Sequence, residues 1–179
     1  MEGFTATLDD VGLQNVLKSP DVVGVEQDGY IQLDQVGSWG LDRIDDEDLP
    51  LDRSYNPTFG NNGAGVTAYV IDTGILHTHK EFEGRAEQKF NSAGGSNTDC
   101  HGHGTHVAGT IGAKTYGVAN RVKLVGVKVF RCNGVGSFSN VLAGIDWVGI
   151  NAKKPAIASM SISIYNKIST LKKGYIHTL

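Results

Sequence analysis

At 179 residues the chain is long enough for one ordinary domain, or one domain and a fragment, and its 40% hydrophobic content suffices for a packed core. No run of 18 or more apolar residues occurs, and Met1-Glu2-Gly3-Phe4 lacks the basic and apolar regions of an export signal, so neither a membrane span nor a leader is read from it. The formal net charge of −3 conceals an asymmetry: residues 1–60 hold 13 acidic against 3 basic side chains and residues 61–179 hold 6 against 13, which indicates two structural units. No basic cluster interleaved with aromatics argues for nucleic acid. Glycine makes up 24 residues without a Gly-X-Y period, so it serves turns and close backbone approaches.

In chain order, Phe4-Thr5-Ala6-Thr7-Leu8 alternates and reads as a strand. Asp9 or Asp10 then caps a short helix with Leu13, Val16 and Leu17 on one face, ending before Pro20. A second strand is predicted from Val22 to Glu26, with a continuation toward Leu33. From Val36 to Asn62 the chain is polar and turn-rich and reads as a wrapped surface segment. Beyond it strands and helices alternate: strand Gly65–Ile71, helix Gly102–Ala113, strand Lys123–Phe130, helix Ser137–Asn151, strand Ala156–Ile164. Continuous apolar strands separated by helices predict an α/β fold, a parallel sheet covered on both faces. Right-handed crossovers would gather the strand C-termini at one edge, where sites in such sheets collect.

Two polar features stand out on that scaffold. Asp72 ends the apolar run Ala68-Tyr69-Val70-Ile71 just before Thr73-Gly74, at the functional edge of the sheet. The run Asp99-Cys100-His101-Gly102-His103-Gly104-Thr105-His106-Val107-Ala108-Gly109 places histidines at a helix start. As a metal site this run fits poorly, having neither His-Glu-x-x-His nor a second Cys-His cluster. Nucleophilic hydrolysis fits better, because an aspartate can fix a histidine tautomer while the histidine takes a proton from a serine.

Tyr69-Val70-Ile71-Asp72-Thr73-Gly74-Ile75 and Gly102-His103-Gly104-Thr105-His106-Val107-Ala108-Gly109-Thr110 resemble the aspartate and histidine signatures of the subtilisin-like serine proteases, most closely the proteinase K branch. The resemblance implies Asp72 as the orienting acid and His103 as the general base, with His106 structural and His77, His79 and His101 on the surface or in turns. Ser38-Trp39-Gly40-Leu41-Asp42-Arg43-Ile44 looks like the start of a mature protease of this branch. Gly3–Leu8 and Pro20–Asp28 look like the second half of its inhibitory prodomain.

Three units are implied: a partial α+β prodomain at 1–35, the N-terminal part of the catalytic domain with an incomplete subtilisin-like sheet at 36–162, and a divergent tail at 163–179. Gly134-Val135-Gly136 resembles the edge that pairs with an extended peptide. Ser161 and Ile162 resemble the start of the opposite substrate-lining strand. There the family has Leu-Gly-Gly, whose glycines let backbone line the specificity pocket, whereas this chain has Ile162-Ser163-Ile164. The family's Gly-Thr-Ser-Met-Ala nucleophile motif and its oxyanion asparagine do not occur in these residues, so the chain reads as a fragment truncated at both ends and inactive alone.

The implied substrates are extended polypeptides, with the chain's own prodomain segment as intramolecular inhibitor or chaperone; neither nucleic acid nor membrane is implied as a partner. The implied location is extracellular. The competing reading is a non-catalytic binder of peptides or of a partner protease. Cys100 and Cys132 are expected to form a disulfide, as relatives join these motifs. No metal is needed for the chemistry, and the acidic stretch at Asp42, Asp45 and Asp46 offers oxygens for a structural Ca²⁺.

Overall fold

The structure, a computed structural model, describes residues 5–33, 40–45, 55 and 61–164. The first element is helix α1, Asp10–Leu17, capped by Asp9, whose carboxylate accepts from Gly12 N at 2.7 Å. Strand β1, Tyr30–Leu33, and the short helix α2, Gly40–Asp45, follow. Then come β2, Thr67–Asp72, β3, Ala86–Asn91, α3, His103–Gly112, and β4, Lys123–Lys128. The last are β5, Gly136–Ser137, α4, Phe138–Asn151, β6, Ala156–Ser159, and β7, Ile162–Ile164.

The main sheet has the order β3-β4-β2-β6 and every neighbouring pair is parallel. Period-2 alternation sends successive residues of one strand to opposite faces. Tyr69, Ile71, Val125 and Val127 therefore pack toward Val141 and Val148 of α4, while Ala68, Val70 and Leu124 pack with Ala108 of α3. With a helix on each face, β2 and β4 are buried on both sides, and this is why they read as unbroken apolar runs. Each buried Val, Leu or Ile adds about 1.5–3 kcal/mol of hydrophobic stabilisation.

A second, antiparallel sheet has the order β5-β1-β7. Its pairings are Tyr30 with Ser137, Ile31 with Gly136 and Ile164, Gln32 with Ser163, and Leu33 with Ile162. Asp28 reinforces the docking, since both its carboxylate oxygens accept from Ser139, from N at 3.1 Å and from Oγ at 2.6 Å, at the N-terminus of α4. Phe138 N also donates to Gly29 O at 3.0 Å.

Several sequence expectations are corrected. Residues 5–8 form no strand and Leu8 is exposed; among the described residues none pairs with them, and β-propensity without a partner makes no ladder. Val22–Glu26 is likewise irregular, with Val23 almost wholly exposed, and only the continuation at Tyr30–Leu33 is a strand. The wrapped segment contains α2. Ala156–Ile164 is two strands: β6 follows β2 only as far as Val70↔Ser159, after which the chain leaves the parallel sheet and β7 pairs with β1. Strand β3 was not anticipated.

Candidate active site

Strand β2 ends on Asp72, whose side chain is fully buried. The chain turns there: Thr73 N donates to Asp72 Oδ1 at 2.6 Å, and Val129 N donates to Asp72 O at 2.8 Å. His103, the first residue of α3, places Nδ1 at 2.8 Å from Oδ1 and 2.9 Å from Oδ2 of Asp72. An imidazole that donates through Nδ1 to a carboxylate keeps Nε2 as its basic nitrogen. Burial pushes the Asp72 carboxyl above its ordinary range; hydrogen bonds from His103 and Thr73 pull it back only in part.

The closeness of α3 to β2 depends on Gly104. A Cβ at this position would collide with the carbonyl oxygen of Gly74 and come within 3.0 Å of Asp72 Oδ1. Gly102, at φ 103°, makes the left-handed turn that starts the helix and offers no capping side chain. Asp99 supplies that function from outside the helix. Its Oδ1 accepts from His101 N at 3.0 Å, Gly102 N at 2.9 Å and Thr73 Oγ1 at 2.9 Å, and its Oδ2 accepts from Thr105 N at 2.9 Å and from Thr105 Oγ1. Burial works against the charge on Asp99, yet the donors from Gly102, Thr105 and His101 prevail and hold the carboxyl below its usual range. Thr73 closes the network by accepting from Gly104 N through Oγ1 at 2.9 Å.

Asp99 carries no role in the sequence beyond its place in the histidine run; an aspartate three residues before a helix-starting glycine is the available signal. Lys128 was missed because it sits in an apolar run, yet it is fully buried, its Nζ 2.6 Å from Thr73 O. His106 is exposed on α3, His77 and His101 are exposed, and His79 caps the 3₁₀ turn Lys80–Phe82.

Cys100 and Cys132 are joined as a disulfide with Cα atoms 4.9 Å apart, tying the loop before α3 to the loop after β4. Gly134 and Val135 form the turn into β5, with Gly134 N donating to Arg131 O at 3.0 Å and Arg131 N to Val135 O at 3.0 Å. Gly136 is buried in β5, where a Cβ would lie 2.6 Å from Val129 O. Ser161 bridges β6 to β7, and Ile162 begins β7. The structure thus sets β5 and β7 on either side of one extended strand, β1.

No group of three or more His, Cys, Asp or Glu among the described residues could hold a metal. The aspartates read for Ca²⁺ fall elsewhere: the side chains of Asp42 and Asp45, and all of Asp46, lie outside the described residues.

Comparison with known proteins gives the family. The chain is 49% identical over 175 residues to "Alkaline serine exoprotease A" of Vibrio alginolyticus, covering 90% of this chain and 32% of the relative. It is 49% identical over 167 residues to "Extracellular serine proteinase" of Thermus sp. (strain Rt41A), covering 90% and 40%. It is 44% identical over 169 residues to "Cuticle-degrading serine protease" of Arthrobotrys oligospora, covering 89% and 41%. The chain therefore spans about a third to two fifths of the length of these relatives. A solved structure, described as a cold adapted subtilisin-like serine proteinase, superposes with a TM-score of 0.63 at 54% identity, over 68% of this chain and 44% of that one. The model of the subtilase family matches residues 63–177, more than half of the sequence, and the chain belongs to that family.

Proposed function

We propose that the chain carries the acid–base pair of a serine endopeptidase that cleaves polypeptides through an acyl-enzyme. The observation that carries this reading is the double approach of His103 Nδ1 to the buried Asp72 carboxylate at the C-terminal end of β2. Asp72 orients the ring and stabilises the imidazolium, and Nε2 takes the proton of an attacking serine and returns it to the leaving amine. The serine and the oxyanion donor belong to sequence motifs absent from these 179 residues, so the chain by itself is inactive in this reading.

Residues 1–35 act as the prodomain-like unit and 36–162 as part of the catalytic domain, followed by the tail at 163–179, which the family match enters as far as residue 177. The seating of β1 between β5 and β7 supports residues 134–136 and 161–162 as peptide-binding edges held by the chain's own segment. The disulfide and the name of the Thermus relative support export to an oxidising, extracellular location.

A fluorophosphonate probe, which reacts with activated serines, tests the reading. The 179-residue chain stays unlabelled, whereas a longer chain that includes the family's serine motif is labelled and loses turnover on His103→Ala. Labelling of the 179-residue chain at a serine, abolished by His103→Ala, would overturn it. The β5-β1-β7 pairing also favours a second reading, a non-catalytic binder of extended peptides; peptide binding without turnover by the longer chain would select it.

A further inference from the structure

Lys128 is the buried charge that the chemistry above leaves unused. Its side chain is fully buried at the end of β4, and its register partner on β2 is Asp72. The ammonium donates to Thr73 O at 2.6 Å and lies 3.6 Å from Cys100 Sγ, but among the described residues it makes no contact ion pair. A buried ammonium is costly unless opposite charge answers it, and so is a buried carboxylate such as Asp72. Among the described residues the charges that act on it are those of Asp99, in the loop before α3, and Asp72 on β2, which in turn bonds His103 of α3. Its register partner on β3, Asn91, is uncharged.

Thr73 joins these groups. Its N–H donates to Asp72, its hydroxyl donates to Asp99 and accepts from Gly104 N, and its carbonyl accepts from Lys128. One ammonium therefore fixes the residue that orients both carboxylates, within a low-dielectric region where its charge acts strongly. We propose that Lys128 is a positioning residue for the Asp72–His103 pair, its buried charge keeping the Asp72 carboxylate ionised and its hydrogen bond locking Thr73 against it. This rests on the acid–base reading of Asp72 and His103, but it concerns ionisation and needs no turnover. Burial lowers the ammonium below its ordinary range, while Asp99 and Asp72 oppose that fall.

Lys128→Met keeps the length of the side chain and removes its charge. In the full 179-residue chain labelled with ¹³C at the aspartate carboxyls, with Asp72→Asn identifying the signal, the Asp72 titration midpoint moves upward in Lys128→Met by on the order of one pH unit. A purely packing role would leave it in place. By reciprocity Asp72→Asn lowers the Lys128 titration midpoint, read from its side-chain NMR signals, by the same amount. This second arm decides alone if Lys128→Met fails to give a folded amide spectrum. An unmoved Asp72 midpoint in folded Lys128→Met, or an unmoved Lys128 midpoint in Asp72→Asn, overturns the proposal. Loss of the protease reading would instead appear in the probe-labelling experiment, with these titrations unaffected.

Discussion

Two glycines of α3, one turn and a half apart, predict opposite responses to the same added methyl group. At Gly104 a Cβ meets backbone, the Gly74 carbonyl oxygen, and then Asp72 Oδ1 at 3.0 Å, so α3 must move away from β2. Overpacking of this kind costs about 1–3 kcal/mol, and a clash with backbone belongs at the upper end because no rotamer relieves it. The better helix propensity of alanine returns about 1 kcal/mol, which leaves Gly104→Ala destabilising by roughly 2 kcal/mol. At Gly109 a Cβ meets nothing within 4 Å, so only the propensity gain remains and Gly109→Ala stabilises by about 0.5–1 kcal/mol. The two variants should differ by roughly 3 kcal/mol. For a chain of this length that is a gap of about 6–12 °C in melting temperature by circular dichroism. The proton on His103 Nδ1 supplies a local readout, because its NMR signal should change in Gly104→Ala and persist in Gly109→Ala. A melting temperature for Gly104→Ala equal to or above that of Gly109→Ala would refute the close approach of α3 to the end of β2.

Asp28→Ala removes two charge-assisted hydrogen bonds at the start of α4, and β1 amides should exchange about 10-fold faster, a loss of about 1.4 kcal/mol, with β2 unaffected; unchanged exchange at Tyr30–Leu33 would argue against the anchor. Reduction of Cys100–Cys132, separated by 32 positions, should lower stability by roughly 3–4 kcal/mol in denaturant titrations, and coincident oxidised and reduced curves would count against that contribution. The Lys123 and Lys89 ammoniums hold the Glu87 carboxyl down to about 2 from the ordinary 4.5. A depressed carboxylate stabilises the folded chain above the unfolded value, and that stability is lost as pH falls from about 4.5 through about 2. Surface screening keeps the effect below about 1 kcal/mol, so Glu87→Gln should differ from wild type at pH 6 and converge with it below pH 2; a constant difference would show that the pair is not the cause.

The parts of the fold legible in the sequence are those buried on both faces. Ala68–Ile71 and Leu124–Val127 announce themselves because each side of the strand is covered by a helix, and the turn at Asp72-Thr73-Gly74 marks the strand end on which the candidate acid sits. Strand β3, Ala-Glu-Gln-Lys-Phe-Asn, was not visible: it lies at the sheet edge, and only Ala86 of it is buried, so burial imposed no apolar pattern on it. Thr5–Leu8 and Val22–Glu26 have strand composition but no partner among the described residues. Asp72 and His103 could be found because each stands in a local motif. Asp99 accepts mainly from its own neighbourhood, His101, Gly102 and Thr105, and its place before Gly102 is a local signal; its bond from Thr73 Oγ1 and the bond of Lys128 to Thr73 O join residues distant in sequence, which no local pattern encodes.

The strand between β5 and β7 is tethered to the edges it pairs with, and this changes how any other ligand of those edges would be measured. A segment on the same chain competes at an effective concentration that for a short flexible connection is on the order of millimolar. A free peptide matching the β1 pairings contact for contact would have to exceed that effective concentration to occupy half of the molecules. Its apparent affinity would be the intrinsic one reduced by the fraction of chains in which the resident strand has left. Weakening that strand at Asp28, or cutting the chain after it, would then tighten the measured binding of an added peptide without altering a single atom of β5 or β7.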